Sequence, residues 1–163
     1  MTYVAELVAD QLSIDAIHRT YAGTTADALL QRLTTFFDVA PAGRVDERFA
    51  AETVRRGALC LVLPDGTGRW LTPRPGVFDG VRDIDGALLE HALDGFDHEV
   101  AYQHGVTEVT QLVTSGAVAA AVLIRPTGIG EIRRTADERL LMPPKSTFFT
   151  PKLRTGLVIR AFG

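Results

Sequence analysis

A chain of 163 residues, 46% hydrophobic and 23% charged, has the composition of one soluble globular domain and not of a disordered segment. That length lets a fold bury about two thirds of the surface its unfolded chain exposes. A net charge of −3 argues against a general nucleic-acid binder, the single cysteine, Cys60, forbids an internal disulfide, and no apolar run reaches the length of a membrane span.

Met1 is followed by Thr2-Tyr-Val-Ala-Glu-Leu with no basic segment, so no signal peptide is read and the cytoplasm is the default compartment. Residues 2–9 read as a strand, and residues 12–20 alternate well enough to predict a second strand paired with it. Thr24 or Thr25 caps a helix whose apolar face is Ala26, Leu29, Leu30, Leu33, Phe36 and Phe37. Residues 38–43 read as a strand remnant and turn. Asp46 is placed to cap a shorter helix running to Arg56, stopped by Gly57. The unbroken apolar run 58–63 predicts a buried strand, and Pro64-Asp-Gly-Thr-Gly68 returns it as a hairpin over 58–72. A loop follows over 73–80, then a helix over 83–94 with Ile84, Leu88 and Ala92 as its stripe.

Residues 98–124 read as a parallel βαβ unit: strand 99–102, helix 106–115 stopped by Gly116, and the apolar strand 117–124. A last helix over 128–139 presents Ile129, Ile132, Ala136 and Leu140, and residues 157–162 read as a closing strand. The expectation is a single α/β or α+β domain over 1–163 with a mixed, partly parallel sheet.

The stretch Met142-Pro-Pro-Lys-Ser-Thr147 and its continuation hold both lysines of the protein, Lys145 and Lys152, against 15 arginines. Lysine is a compact point charge on a flexible stem, where arginine is a planar fork. Two prolines donate no N–H, so the next free donors fall on Lys145, Ser146 and Thr147, beside two hydroxyls and an ammonium. Those groups suit a phosphate or carboxylate, and Arg19 would add a bidentate partner. The plain alternative is a proline-punctuated turn feeding the last strand.

Other candidates are weaker. His18, beside Arg19 at a strand end, is a candidate general acid or base, or else half of a solvent-facing pair on an edge strand. His98 and His104 flank one strand and His91 stands alone, so no metal-ligand spacing emerges. Cys60 among Leu59, Leu61 and Val62 reads as a small buried hydrophobe. Thr127-Gly-Ile-Gly130 lacks the third glycine and the lysine of a phosphate loop.

Three stretches resemble the C-terminal part of the family called domain of unknown function 1015: Met142-Pro-Pro-Lys-Ser-Thr-Phe-Phe-Thr-Pro-Lys-Leu-Arg-Thr-Gly-Leu-Val158, then Ile17-His18-Arg19, and Val113-Thr-Ser-Gly116 through Leu123-Ile-Arg-Pro-Thr127. Members of that family are longer and carry further motifs in an N-terminal half that has no counterpart here. The resemblance therefore implies a C-terminal segment, either a truncated product or a stand-alone domain. A distant similarity of the family's N-terminal part to free-serine kinases implies small-molecule phosphorylation, with ATP or ADP and Mg as cofactors.

Two functions follow as expectations. One is an anion-binding segment of a kinase-like or phosphate-handling protein, with Lys145, Ser146, Thr147, Lys152 and Arg19 around the anion and His18 nearby. The other is a non-catalytic module that docks the missing N-terminal half or self-associates through Phe148 and Phe149. Neither reading involves nucleic acid, a membrane or a metal ligated by the chain's own side chains.

Overall fold

The two most apolar segments become the two middle strands of a six-stranded sheet. The computed structural model describes residues 13–150, and there the strands are β1 (Ser13–Asp15), β2 (Ile17–Ala22), β3 (Phe37–Arg44), β4 (Leu59–Val62), β5 (Thr67–Pro73), β6 (Glu99–His104), β7 (Ala120–Leu123) and β8 (Phe148–Thr150). The helices are α1 (Ala26–Leu33), α2 (Phe49–Arg56), α3 (Asp85–Ala92), α4 (Val106–Thr114) and α5 (Ile129–Asp137). The large sheet runs β3-β5-β4-β7-β2-β6, and β1 pairs with β8 in a separate two-stranded sheet.

Every pairing is antiparallel, which corrects the expected partly parallel sheet. The segment 98–124 does contain strand, helix and strand, but β6 and β7 are not neighbours. Strand β2 lies between them and runs against both. The apolar runs were a sound signal of burial and a poor signal of direction. Leu59 and Leu61 of β4, with Ala120 and Val122 of β7, face α1 and α3. Cys60 and Val62, with Ala121 and Leu123, face α2 and α4. Side chains alternate along a strand, so helices on both faces demand apolar residues at every position whatever the pairing. The described residues form one compact α+β domain in three layers.

Local signals account for most boundaries. Thr25 caps α1, its hydroxyl accepting from the Ala28 N–H. Gly57 ends α2 at φ 64°, and the 58–72 hairpin forms as expected, with Cys60 opposite Trp70. Three expectations are corrected, and the cap on α2 is not among them. The stretch read as 12–20 breaks at Ala16, and its second part pairs with β6 and β7; the first stretch, 2–9, lies outside the described residues, as do Lys152 and 157–162. The remnant at 38–43 is an eight-residue edge strand, β3, with a register shift between Pro41 and Gly43. Asp46 does start the turn that leads into α2, its side chain accepting from the N–H and guanidinium of Arg48 and its carbonyl from the Phe49 N–H. The apolar stripe of α5 is not buried: only Thr135 is, while Ala136 and Leu140 face solvent. Partly buried ion pairs of Arg82 with Glu131 and Glu138 tie that helix down. No helix among the described residues is long and apolar enough to cross a membrane.

Candidate functional site

Strand β2 begins where its antiparallel neighbours β6 and β7 end, so one end of the sheet gathers His18 and Arg19, His104, and the segment after Leu123. His18 and Arg19 are not an edge pair. Both are 3% exposed, inside a strand flanked on each side. Being consecutive, they point to opposite faces.

Arg19 points to the α3 face. Its guanidinium lies 4.7 Å from the centre of the Tyr102 ring and donates to the carbonyls of Ile17 (2.5 Å), Pro144 (3.0 Å) and Lys145 (3.5 Å). Burial lowers its pKa. Gly86, in the first turn of α3, makes the space: a Cβ there would stand 2.8 Å from the Arg19 Nη2. The guanidinium thus grips the backbone of the lysine segment and is not free to fork around an anion.

That segment is held at further points. Ser146 is buried and its hydroxyl donates to the Pro143 carbonyl (2.6 Å), while the Thr127 hydroxyl donates to the Ser146 carbonyl (2.8 Å). Asp85 and Arg125 clamp the neighbouring ends of α3 and β7. The Asp85 carboxylate accepts from the Arg125 backbone N–H (2.7 Å) and from its Nε (3.0 Å) and Nη2 (2.5 Å). The hydrogen bond to Asp85 raises the Arg125 pKa. Out of this scaffold Lys145 emerges exposed, with its backbone in the left-handed region at φ 54°. Pro144 before it and a positive φ at Lys145 are the signature of a type II turn, where glycine or asparagine is the ordinary occupant. A lysine there costs on the order of 1–2 kcal/mol in backbone strain.

His18 points to the other face. Its Nδ1 accepts from the Ile124 N–H at 3.2 Å. A ring nitrogen that accepts carries no proton, so the neutral ring bears its proton on Nε2. Burial, then the charges of His104 and Arg19, push its pKa down to about 4. The ring lines a cleft of about 360 Å³ whose walls include Ala16, Val106, Ile124 and Pro126, with Asp15 and His104 also lining it. His104 Nε2 stands 3.5 Å from the Asp15 carboxylate, and its ring stacks on Phe148 at 4.6 Å. The lysine segment therefore runs from Arg19 on one face to the side of this cleft.

The structure brings His18, Arg19, Lys145, Ser146 and Thr147 to one end of the sheet, and Lys152 lies outside the described residues. Sequence reasoning missed Asp15, Asp85, Gly86, Arg125 and His104 as site residues. Asp85-Gly86 looked like an ordinary helix start, and nothing local to it shows that it faces residue 125. Among the described residues no group of three or more His, Cys, Asp or Glu converges. Cys60 is fully buried and burial raises its thiol pKa to about 12.

No family model matches the chain, and no curated protein matches it. The fold is nevertheless a known one. A conserved hypothetical protein from Pyrococcus furiosus superposes with a TM-score of 0.58 at 13% identity, covering 91% of this chain and 60% of that one. A free serine kinase in complex with AMP superposes at 0.57 and 16% identity, covering 91% and 58%. A mutant free serine kinase in complex with ADP gives 0.54 and 16%, again over 91% and 58%. This chain thus spans a little under two thirds of the length of each structure.

An anion would find a partial donor set here. The Ser146 hydroxyl and the Arg19 guanidinium are spent on carbonyls. The Lys145 ammonium, the Thr147 hydroxyl and the backbone N–H groups of 145–147 have no hydrogen-bond partner among the described residues. Each of those remaining groups can donate, which fits an anion.

Proposed function

We propose that this chain is the anion-binding part of a nucleotide-dependent, kinase-like protein, and that it belongs to the domain of unknown function 1015 family it resembles. The observation that carries the reading is the strained, exposed Lys145. Strain at a non-glycine residue persists where the surroundings over-determine it, and such residues cluster at ligand sites. Arg19, Ser146 and Thr127 supply that over-determination by fixing the turn's carbonyls. The fold shared with free serine kinases supports the same direction.

On this reading Lys145, Thr147 and the free N–H groups of 145–147 hold phosphate oxygens, while Arg19 and Ser146 act as positioning residues. A bound nucleotide would supply the phosphoryl group for transfer to a small hydroxyl compound, serine being one candidate. That transfer also needs a group to take the proton of the hydroxyl. His18 is unsuited to it, because its Nε2 already holds a proton and its Nδ1 is occupied.

Calorimetric titration with ADP, with and without Mg, tests this. Lys145→Ala should weaken binding by the 1.5–3 kcal/mol of a charged hydrogen bond, about tenfold to a hundredfold. Lys145→Gly should lose the same affinity while leaving thermal stability intact or higher, because it relieves the positive φ. Unchanged ADP affinity in both variants would reduce the segment to a rigid turn.

A second reading has its own observation. Among the described residues strand β6 is an edge with exposed Val100 and Tyr102 and no proline, lysine or bulge to blunt it. A non-catalytic module that docks another chain along β6, or through the exposed Phe149, would present such an edge.

A further inference from the structure

We propose that the cleft under His18 is a second ligand subsite, and that it takes a small β-amino alcohol, whose hydroxyl oxygen accepts from His18 and whose ammonium pairs with Asp15. In the reading above this molecule is the phosphoryl acceptor. That role rests on that reading, but the binding itself does not.

Three observations define the ligand. First, His18 is nine-tenths buried and more, yet its Nε2 has no hydrogen-bond partner among the described residues. The Ile124 N–H locks Nδ1 as acceptor, so the ring offers the cleft one fixed donor, and the ligand must bring an acceptor. Second, Asp15 is the only carboxylate, lysine or arginine that lines the cleft among the described residues, and the Glu108 carboxylate lies close by against Gly105 at the start of α4. That field disfavours a carboxylate or phosphate as the acceptor and leaves an uncharged oxygen, such as a hydroxyl. Among the described residues Asp15 itself is engaged only by Ser13 Oγ at 3.4 Å and by His104 at 3.5 Å, so its oxygens can accept from an ammonium. Third, 360 Å³ is near the small end of ligand pockets, and the remaining walls are apolar. A two- or three-carbon spacer between hydroxyl and ammonium suits that space.

The test uses the whole chain and no nucleotide. Ethanolamine, ethylamine and glycolate are titrated separately at neutral pH while the His18 ring and the backbone amides are followed by heteronuclear NMR. Ethanolamine should give saturable shifts at His18, Ile124 and Val106, with ethylamine and glycolate at least fivefold weaker. His18→Asn retains an acceptor for the Ile124 N–H through its Oδ1 but removes the Nε2 donor, and it should weaken ethanolamine at least fivefold. Asp15→Asn, on the short exposed strand, should do the same and guards against a His18 variant that fails to fold. Glycolate binding as tightly as ethanolamine would overturn the proposal. So would the absence of saturable shifts, or ethanolamine affinity unchanged in both variants. Because nucleotide is absent throughout, a failure here leaves the ADP titration of Lys145 variants unaffected, and the converse holds.

Discussion

His18 and Lys145 show how much chemistry a single side chain gains or loses from its surroundings. A histidine at a strand end suggests proton transfer near pH 7, yet burial, followed by its electrostatic interactions with His104 and Arg19, takes its pKa from 6.5 to about 4. The sign of the consequence is fixed. Between those values the unfolded chain binds a proton that the folded one refuses, so stability falls as pH drops from about 6.5 towards 4 and is fully present above that window. The loss reaches on the order of 3 kcal/mol at its fullest. Urea midpoints at pH 7 and pH 4.5 should differ clearly in the native protein, and His18→Asn should flatten the difference. An equally steep acid limb in that variant would mean that other groups carry it.

At the scale of elements, the decisive feature is how α3, β7 and the lysine segment are locked together. Asp85 opens α3, is almost wholly buried, and accepts from three donor atoms of Arg125 at the end of β7. Next to it, Gly86 admits Arg19, which in turn grips Pro144 and Lys145. Removing one partner of a buried pair strands the other charge. Asp85→Asn should therefore destabilise the fold by about 3 kcal/mol, read from chemical denaturation. It should also loosen the lysine turn, visible as faster amide exchange at 144–147. A variant of near-native stability would show that Arg125 finds enough water to compensate.

For the molecule as a whole, the two edges of the large sheet are unlike. Strand β3 carries Pro41 and a register shift, and Asp38 there pairs with Arg74. These devices deter strand addition. Strand β6 pairs with β2 through all six residues without interruption and leaves Val100 and Tyr102 on its surface. A two-fold pairing of β6 with a second copy, centred on Ala101, would set each Val100 against the other copy's Tyr102, a favourable cross-strand pair. Sedimentation of the chain should show concentration-dependent association, and Val100→Lys should return it to monomer. A monomer at all concentrations would leave the edge to a different polypeptide.

What the sequence by itself determined was whatever depends on neighbours along the chain. A threonine cap at 24 or 25, Gly57 as a stop, the 58–72 hairpin and the burial of Cys60 all follow from local backbone and hydropathy rules. That a lysine and two hydroxyls follow two prolines at 145–147 is plain in the sequence, whereas the loss of the Ser146 hydroxyl to the Pro143 carbonyl is not. Only the tertiary structure decided the rest. Strand direction was misread because an apolar run reports that both faces are covered and says nothing of which way the next strand points. The stripe on α5 misled because an ion network, not apolar burial, docks that helix. The partners of Arg19, Asp85 and His18 lie 125, 40 and 106 residues away along the chain. Whether a guanidinium grasps an anion or a carbonyl, and whether an imidazole is acid, base or fixed donor, is set by atoms that close only when those distant segments meet.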